Sequence, residues 1–372
     1  MIDYVFGLNK SGIALTKLLK KQGKNFFCWD DNEKIRNTLS KKHPELKFEK
    51  IVNYSKKKYR NIYLTPGISF FDRRFKGITI SKFKRDLNLY YENINDEKII
   101  AITGTNGKST TTKLVAEIIK KKYKQTFVGG NIGNALCNAF SNYTKFSHHV
   151  IELSSFQLET IKNFEPNISI LLNLSEDHLD RYKSMREYIS AKKNIFNKKN
   201  KNINLISIDD KYSKKIFDSK KVLNKISFSI KNENADISYK EGNIIDNYFY
   251  KKNKKIKLYK ISSALNSNFN IQNILVAYIV VKFLKIPIMY FYETVKNFKG
   301  LPYRSTIIYN SSKKLIINNS KATNISSALL SLENKKNIYL ILGGIAKEDG
   351  FGKFRKFQKN IDQIYIYGKS RF

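Results

Sequence analysis

Two cysteines, Cys28 and Cys137, are all that the 372 residues contain, and neither belongs to a CxxC pair or a Cys/His cluster. Disulfide scaffolds and structural zinc are excluded, and a cytoplasmic protein is predicted. No run of roughly 18 or more uncharged apolar residues occurs, so no membrane-spanning helix is expected. The N-terminal MIDYVFGLNKSG lacks the charged and apolar regions of a signal peptide and opens directly on a strand. Arginine is scarce too. Only ten of the 69 basic residues are Arg, although its guanidinium is the better bidentate reader of phosphates and bases. The net charge of +38 therefore comes from lysine spread through loops such as Lys198-Lys-Asn-Lys-Asn202, alongside abundant Asn and Ile. That pattern fits an A/T-biased coding sequence better than a nucleic-acid surface, because no aromatic-plus-basic recognition motif accompanies it. Nucleic acid is not expected as a partner, though the charge can help draw in an anionic substrate.

With 41% hydrophobic residues the chain can bury large cores in two or three domains. Its most informative stretch is AITGTNGKSTTT, Ala101 to Thr112. The apolar strand Lys98-Ile-Ile-Ala-Ile-Thr103 runs into a glycine-bearing turn and then a helix whose Leu114, Val115, Ile118 and Ile119 share a face. Gly104 and Gly107 let the backbone turn tightly and expose its N–H groups. The helix points its positive end at a ligand, and Lys108 adds a cation. Ser109 or Thr110 would hold Mg²⁺. The strict P-loop pattern is broken, since Ile102 stands in place of its first glycine. The alternative is a surface turn capping an ordinary helix.

The first ninety residues read as a Rossmann-like half: strand 3–6, turn 7–12, helix 13–21, and strand 26–29 ending at Asp30 and Asp31. Asn9 occupies the place of the middle glycine of G-x-G-x-x-G, which argues against a close dinucleotide approach. Thr65-Pro-Gly67 forms a turn at a strand's C-terminal edge, and 91–97 reads as a linker. In the second unit, strands with their edge loops at 127–133, 149–153 and 168–173 bring Asn131, Glu152, Ser154, Ser155, Gln157, Asn173, Glu176, Asp177, His178 and Asp180 to one sheet edge. Glu152, at a strand end, could complete an Mg²⁺ site, whereas His178 is equally readable as a structural capping histidine. Hairpin-like sequence covers 220–260 and a helix 273–284. A third unit from Gly300 carries strands at 315–317, 338–342 and 364–367.

Ordered motifs give a sharper reading: GTNGKST (104–110), GGNIG (129–133), ELSSFQLE (152–159), NLSEDHLDR (173–181), AKKNIF (191–196), LPYR (301–304), SKATN (320–324) and LGG (342–344). Their order resembles the Mur ligases over essentially the whole chain. The resemblance implies an α/β protein of three domains: a Rossmann-like UDP-substrate domain (1–92), a central ATPase domain with a mostly parallel sheet (93–298), and an incomplete C-terminal α/β domain (299–372). It implies an ATP- and Mg²⁺-dependent, monomeric ligase of peptidoglycan synthesis that joins D-glutamate to UDP-N-acetylmuramoyl-L-alanine through an acyl phosphate.

By position, the resemblance assigns Lys108 to the β- and γ-phosphates and Ser109 and Glu152 to one Mg²⁺, with His178 at a second. Lys192 matches a lysine that the family carbamylates, and the carbamate would face Mg²⁺; Lys193 is the adjacent alternative. Asn131, Gln157 and His178 would line the muramoyl-alanine end of the nucleotide substrate, and Asp30 its uridine end. Gly104 to Thr110, Asn273, Arg304, Asn319 and Lys321 fall at the ATP site, and Thr323 and Lys347 at that of D-glutamate. The chain departs from the pattern around Leu265 to Asn273, at Asn319 in place of an aspartate, and at Tyr303 in place of a histidine. The family's third domain continues beyond a strand like 364–367, so a remnant that binds nucleotide without full turnover is the alternative expectation.

Overall fold

The computed structural model describes residues 2–52, 59–141, 144–179, 181–196, 202–250, 253–329, 331–333, 335–344 and 352–368. The first sheet is built from β1 (Ile2–Phe6), β2 (Phe26–Trp29), β3 (Tyr59–Leu64) and β4 (Phe83–Lys84), all parallel and ordered β2-β1-β3-β4. Helices α1 (Lys10–Lys21) and α2 (Glu33–Lys42) complete the crossovers. Helix α1 begins three residues before the expected Ile13. A Cβ on Gly12 would lie 1.8 Å from the Gly7 carbonyl oxygen, so this glycine serves close packing of the helix against the turn rather than the turn itself.

Helix α3 (Asp86–Tyr91) joins the first two units. Its Leu89 packs with Leu15, Leu18 and Val5 of the first, while Leu87 and Tyr90 pack with Ile99 and Ile151 of the second. The expected linker therefore starts on the last residue of a buried helix.

The central sheet has nine strands: β5 (Lys98–Thr103), β6 (Thr126–Gly130), β7 (His148–Glu152), β8 (Ile168–Leu171), β9 (Ile203–Ser207), β10 (Lys225–Ser229), β11 (Ile237–Lys240), β12 (Asn243–Asp246) and β13 (Lys254–Lys257). From β6 through β7, β5, β8, β9 and β10 to β11 the pairing is parallel, and β12 and β13 are added antiparallel. The hairpin-like sequence is thus the β11–β13 meander, whereas β10 pairs parallel to β9. Both faces are covered, which is why β5 reads as a continuous apolar run. Ile100 and Ile102 point to one core with Leu114 and Ile118, Ile99 and Ala101 to another with Leu158 and Tyr188.

Helices α4 (Lys108–Lys122), α5 (Ser155–Leu158), α6 (Met185–Lys193) and α7 (Lys211–Asp218) follow strands of this sheet. Helix α8 (Asn268–Phe283) is apolar nearly all round and buried between the sheet, α4 and α9 (Ile288–Asn297). It starts before the expected Asn273 because Ser267 caps it, its side chain accepting from the Asn270 N–H.

The C-terminal part contains the antiparallel pair β14 (Thr306–Asn310) and β15 (Leu315–Asn318), the short α10 (Ile325–Leu329), and the parallel pair β16 (Ile338–Gly343) and β17 (Ile361–Tyr367). Strand β14 has no counterpart in the sequence reading. Among the described residues no helix is long and apolar enough to cross a membrane.

Candidate active site at the central sheet edge

In a parallel sheet, ligands meet the C-terminal strand edge where the order reverses. Here β5 lies between β7 and β8, and the glycine turn that follows β5 is held by Asn173, just after β8. The Thr105 N–H donates to the Asn173 carbonyl at 2.9 Å and the Asn106 N–H to Asn173 Oδ1 at 2.9 Å. Asn173 Nδ2 returns a bond to the Asn106 carbonyl at 3.1 Å. Gly107 caps α4 at φ +84°, where a Cβ would come 3.0 Å from Asn273 Oδ1. Glycine is needed there both for the left-handed backbone and for the approach of α8. Asn273, fully buried, accepts from Thr111 Oγ1 at 2.8 Å and donates to Asn270 Oδ1 at 2.9 Å.

Two lysines converge on this turn. Lys108 Nζ donates to the carbonyls of Gly104 (2.9 Å) and Thr105 (2.7 Å), and Lys192 Nζ donates to Gly104 at 2.8 Å. Lys192 is buried and lies over the ring of Tyr188, one helical turn earlier. Lys193, on another face of α6, is partly exposed. Burial pushes both cradle ammonium groups below the ordinary lysine value, and Lys108 lowers that of Lys192 further. Of the two candidate hydroxyls, that of Ser109 is buried and accepts from Arg304 Nη2 at 2.9 Å, while Thr110 is half-buried.

Glu152 ends β7, almost fully buried. Its Oε1 accepts from Asn131 Nδ2 at 2.9 Å, while Oε2 is buried without a hydrogen-bond partner. A buried carboxylate oxygen left without a donor, with lysines close enough to interact electrostatically, suits a cation bound together with phosphate. Among the described residues no three His, Cys, Asp or Glu side chains cluster as metal ligands. An ion here would therefore lean on hydroxyl and phosphate oxygens as well.

His178 sits in a left-handed turn at φ +58°. Its carbonyl, not its imidazole, closes the turn by accepting from the N–H groups of Arg181 and Tyr182. The partly exposed ring lies against Phe156 and 3.6 Å from Asp177 Oδ2.

The Mur ligase middle domain matches residues 102–281. The chain is 35% identical to the UDP-N-acetylmuramoylalanine–D-glutamate ligase of Rickettsia bellii, over 99% of this chain and 82% of that protein. It is 32% identical to the ligase of the same name from Clostridioides difficile, over 98% of this chain and 82% of that protein. The chain belongs to the Mur ligase family. Solved structures agree on the three-domain Mur ligase fold. The UDP-N-acetylmuramate–alanine ligase of Thermotoga maritima superposes with a TM-score of 0.58 at 19% identity, covering 98% of this chain and 85% of that one. The MurF ligase of the same organism, solved with ADP, gives 0.57 at 17% identity over 83% of this chain and 75% of that one.

Asp30 and Gln157 of this Mur ligase are held by partners outside the turn. Asp30, at the end of β2, accepts from the Leu8 N–H at 2.7 Å and the Asn32 N–H at 2.9 Å, at the C-terminal edge of the first sheet. Gln157 is buried, and its amide donates to both oxygens of Asp86. Asn319 accepts from the Ser305 N–H and donates to the Ser327 carbonyl; the second bond is one that an ionised aspartate could not make. Lys321 and Thr323 are exposed. Lys347 lies outside the described residues. One residue not singled out from the sequence joins the cradle. Asn324 Nδ2 reaches Asn106 Oδ1 at 3.2 Å and Asp177 Oδ2 at 3.4 Å. It closes the SKATN motif, which was the available signal.

Proposed function

We propose that this chain is the ATP-dependent ligase that adds D-glutamate to UDP-N-acetylmuramoyl-L-alanine in peptidoglycan synthesis, releasing ADP and phosphate. The convergence of Lys108 and Lys192 on the turn after β5, with the buried carboxylate of Glu152 in electrostatic reach of both, carries the reading. The N–H groups at the start of α4 receive the phosphates, those of Thr105 and Asn106 being held by Asn173, and Lys108 swings from its carbonyl partners to the β- and γ-oxygens. The substrate carboxylate attacks the γ-phosphorus and ADP leaves. The D-glutamate amine then attacks the acyl phosphate, and phosphate departs from the tetrahedral intermediate. Asn131 and His178 orient the muramoyl-alanine end, while Gln157 acts through Asp86. Asp30 meets the uridine end, Asn273 and Arg304 hold ATP with Asn319 and Lys321 beside them, and Thr323 and Lys347 receive D-glutamate.

Ser109, Glu152, His178 and Lys192, the last as a carbamate, are the residues that would hold Mg²⁺. When bound, the ion supplies charge neutralisation between two anions. The units 1–92, 93–298 and 299–372 are the proposed domains, and the enzyme acts as a cytoplasmic monomer. Phosphate release from ATP tests the reading. It should require UDP-N-acetylmuramoyl-L-alanine and rise with D-glutamate, and release indifferent to both would sink it.

A further inference from the structure

One carboxylate outside the cradle takes donors from two distant segments. Glu159, nearly buried, accepts from Arg85 Nη2 at 2.8 Å and Arg181 Nη2 at 3.3 Å on Oε2, and from the Tyr182 hydroxyl at 2.8 Å on Oε1. The two guanidinium groups also grip the loop after β3. Arg85, fully buried, donates to the carbonyls of Leu64, Thr65 and Ile68, and Arg181 to those of Pro66 and Ile68. That loop lies against the end of β1, since the Thr65 N–H donates to the Phe6 carbonyl. It therefore borders the edge that carries Asp30. On its other side the same carboxylate anchors the turn of His178, whose carbonyl accepts from Arg181 and Tyr182. Phe156 fills the space between, touching the His178 ring, stacking on Tyr182 and lying under the Arg181 guanidinium.

We propose that Glu159, through Arg85, Arg181 and Tyr182, is a positioning residue that couples nucleotide-substrate binding at loop 64–68 to the conformation of the His178 turn. The inference rests on the first sheet being the UDP-substrate site. Two cations on one carboxylate leave the cluster dependent on the loop carbonyls for its remaining hydrogen bonds. Ordering the loop thus orders the arginines, and the arginines fix the turn.

Hydrogen exchange of the segment 176–184 in the full chain, with and without UDP-N-acetylmuramoyl-L-alanine and without ATP, tests this. Calorimetry on the same samples reports binding. Binding should slow exchange at 178–182 by about tenfold or more, and Arg181→Lys and Tyr182→Phe should abolish that slowing while still binding. In turnover, Arg181→Lys should raise KM for the nucleotide substrate about tenfold and lower kcat, leaving the KM for ATP within about twofold. A purely structural role would lower the folded fraction without this split. Binding with no protection at 178–182, or protection retained in both variants, overturns the coupling alone. No binding by the unmodified chain overturns the proposed function, and the coupling with it.

Discussion

Lys108 and Lys192 donate to the same acceptor, their ammonium nitrogens lying 2.9 and 2.8 Å from the Gly104 carbonyl oxygen. Burial in the site lowers the pKa of both ammonium groups, and the charge of Lys108 lowers that of Lys192 further, so both protons are held less tightly than on ordinary lysines. The arrangement suits the turn to an anion. It also makes Lys192 the amine better able to lose its proton.

The two lysines of AKKNIF should accordingly separate. Lys192→Ala is expected to lower kcat by about 10³-fold or more, and Lys193→Ala by less than about threefold, because only the first reaches the turn. Steady-state phosphate release with each variant checks this. Equal losses would mean that the pair matters only for the packing of α6.

Glu152 supplies a second expectation. Its unpartnered Oε2 is a desolvated anion, so Glu152→Gln should leave the melting temperature unchanged or raised in the absence of divalent ions. The same change should cut kcat by about 10²-fold or more and raise the Mg²⁺ concentration needed for half-maximal activity. A melting scan paired with a Mg²⁺ titration reads both. A lowered melting temperature with an unaltered Mg²⁺ requirement would make Glu152 structural.

The strand, glycine turn and helix from Lys98 to Lys122 were legible because their signal is local: an apolar strand, two glycines, Lys-Ser and a helix within 25 residues. The parallel sheet was legible for a similar reason, since strands buried on both faces carry unbroken apolar runs. What was missed depends on partners far away in the chain. Asn324 is such a residue: its amide reaches Asn106 and Asp177, 218 and 147 residues earlier. Exposed β14, opposite β15, has no apolar face turned to a core among the described residues, and so no alternation to betray it.

His149 makes a pH prediction outside the reacting groups. It is fully buried on β7 among Phe127, Phe140 and Phe146, with Tyr90 on one ring nitrogen and no hydrogen-bond partner on Nε2. Desolvation lowers its pKa from 6.5 to about 4. Between these values the unfolded chain takes up a proton that the folded chain refuses, so stability is complete above 6.5 and falls as the pH drops toward 4. The loss should reach on the order of 3 kcal/mol. Urea unfolding at pH 7.5 and pH 5 should show about 2 kcal/mol of it, and His149→Phe should flatten the pH dependence whatever its effect on absolute stability. An unchanged slope in that variant would assign the acid sensitivity elsewhere.

Asn324 divides its amide between two tasks, and substitution can separate them. Its Oδ1 accepts from the Ser327 N–H at 2.8 Å, capping α10, while Nδ2 bridges Asn106 and Asp177 across 218 and 147 positions of sequence. Asn324→Ala removes both bonds. Asn324→Asp keeps the cap, because aspartate is as good an N-cap as asparagine, but sets a second carboxylate against Asp177 where an N–H donor had been. If the bridge to the phosphate turn matters, the aspartate variant should be the more stable of the two and the less active. A kcat about tenfold below the unmodified enzyme is expected for alanine and a larger loss for aspartate, with melting temperatures in the opposite order. Activities that instead track the melting temperatures would reduce Asn324 to a helix cap.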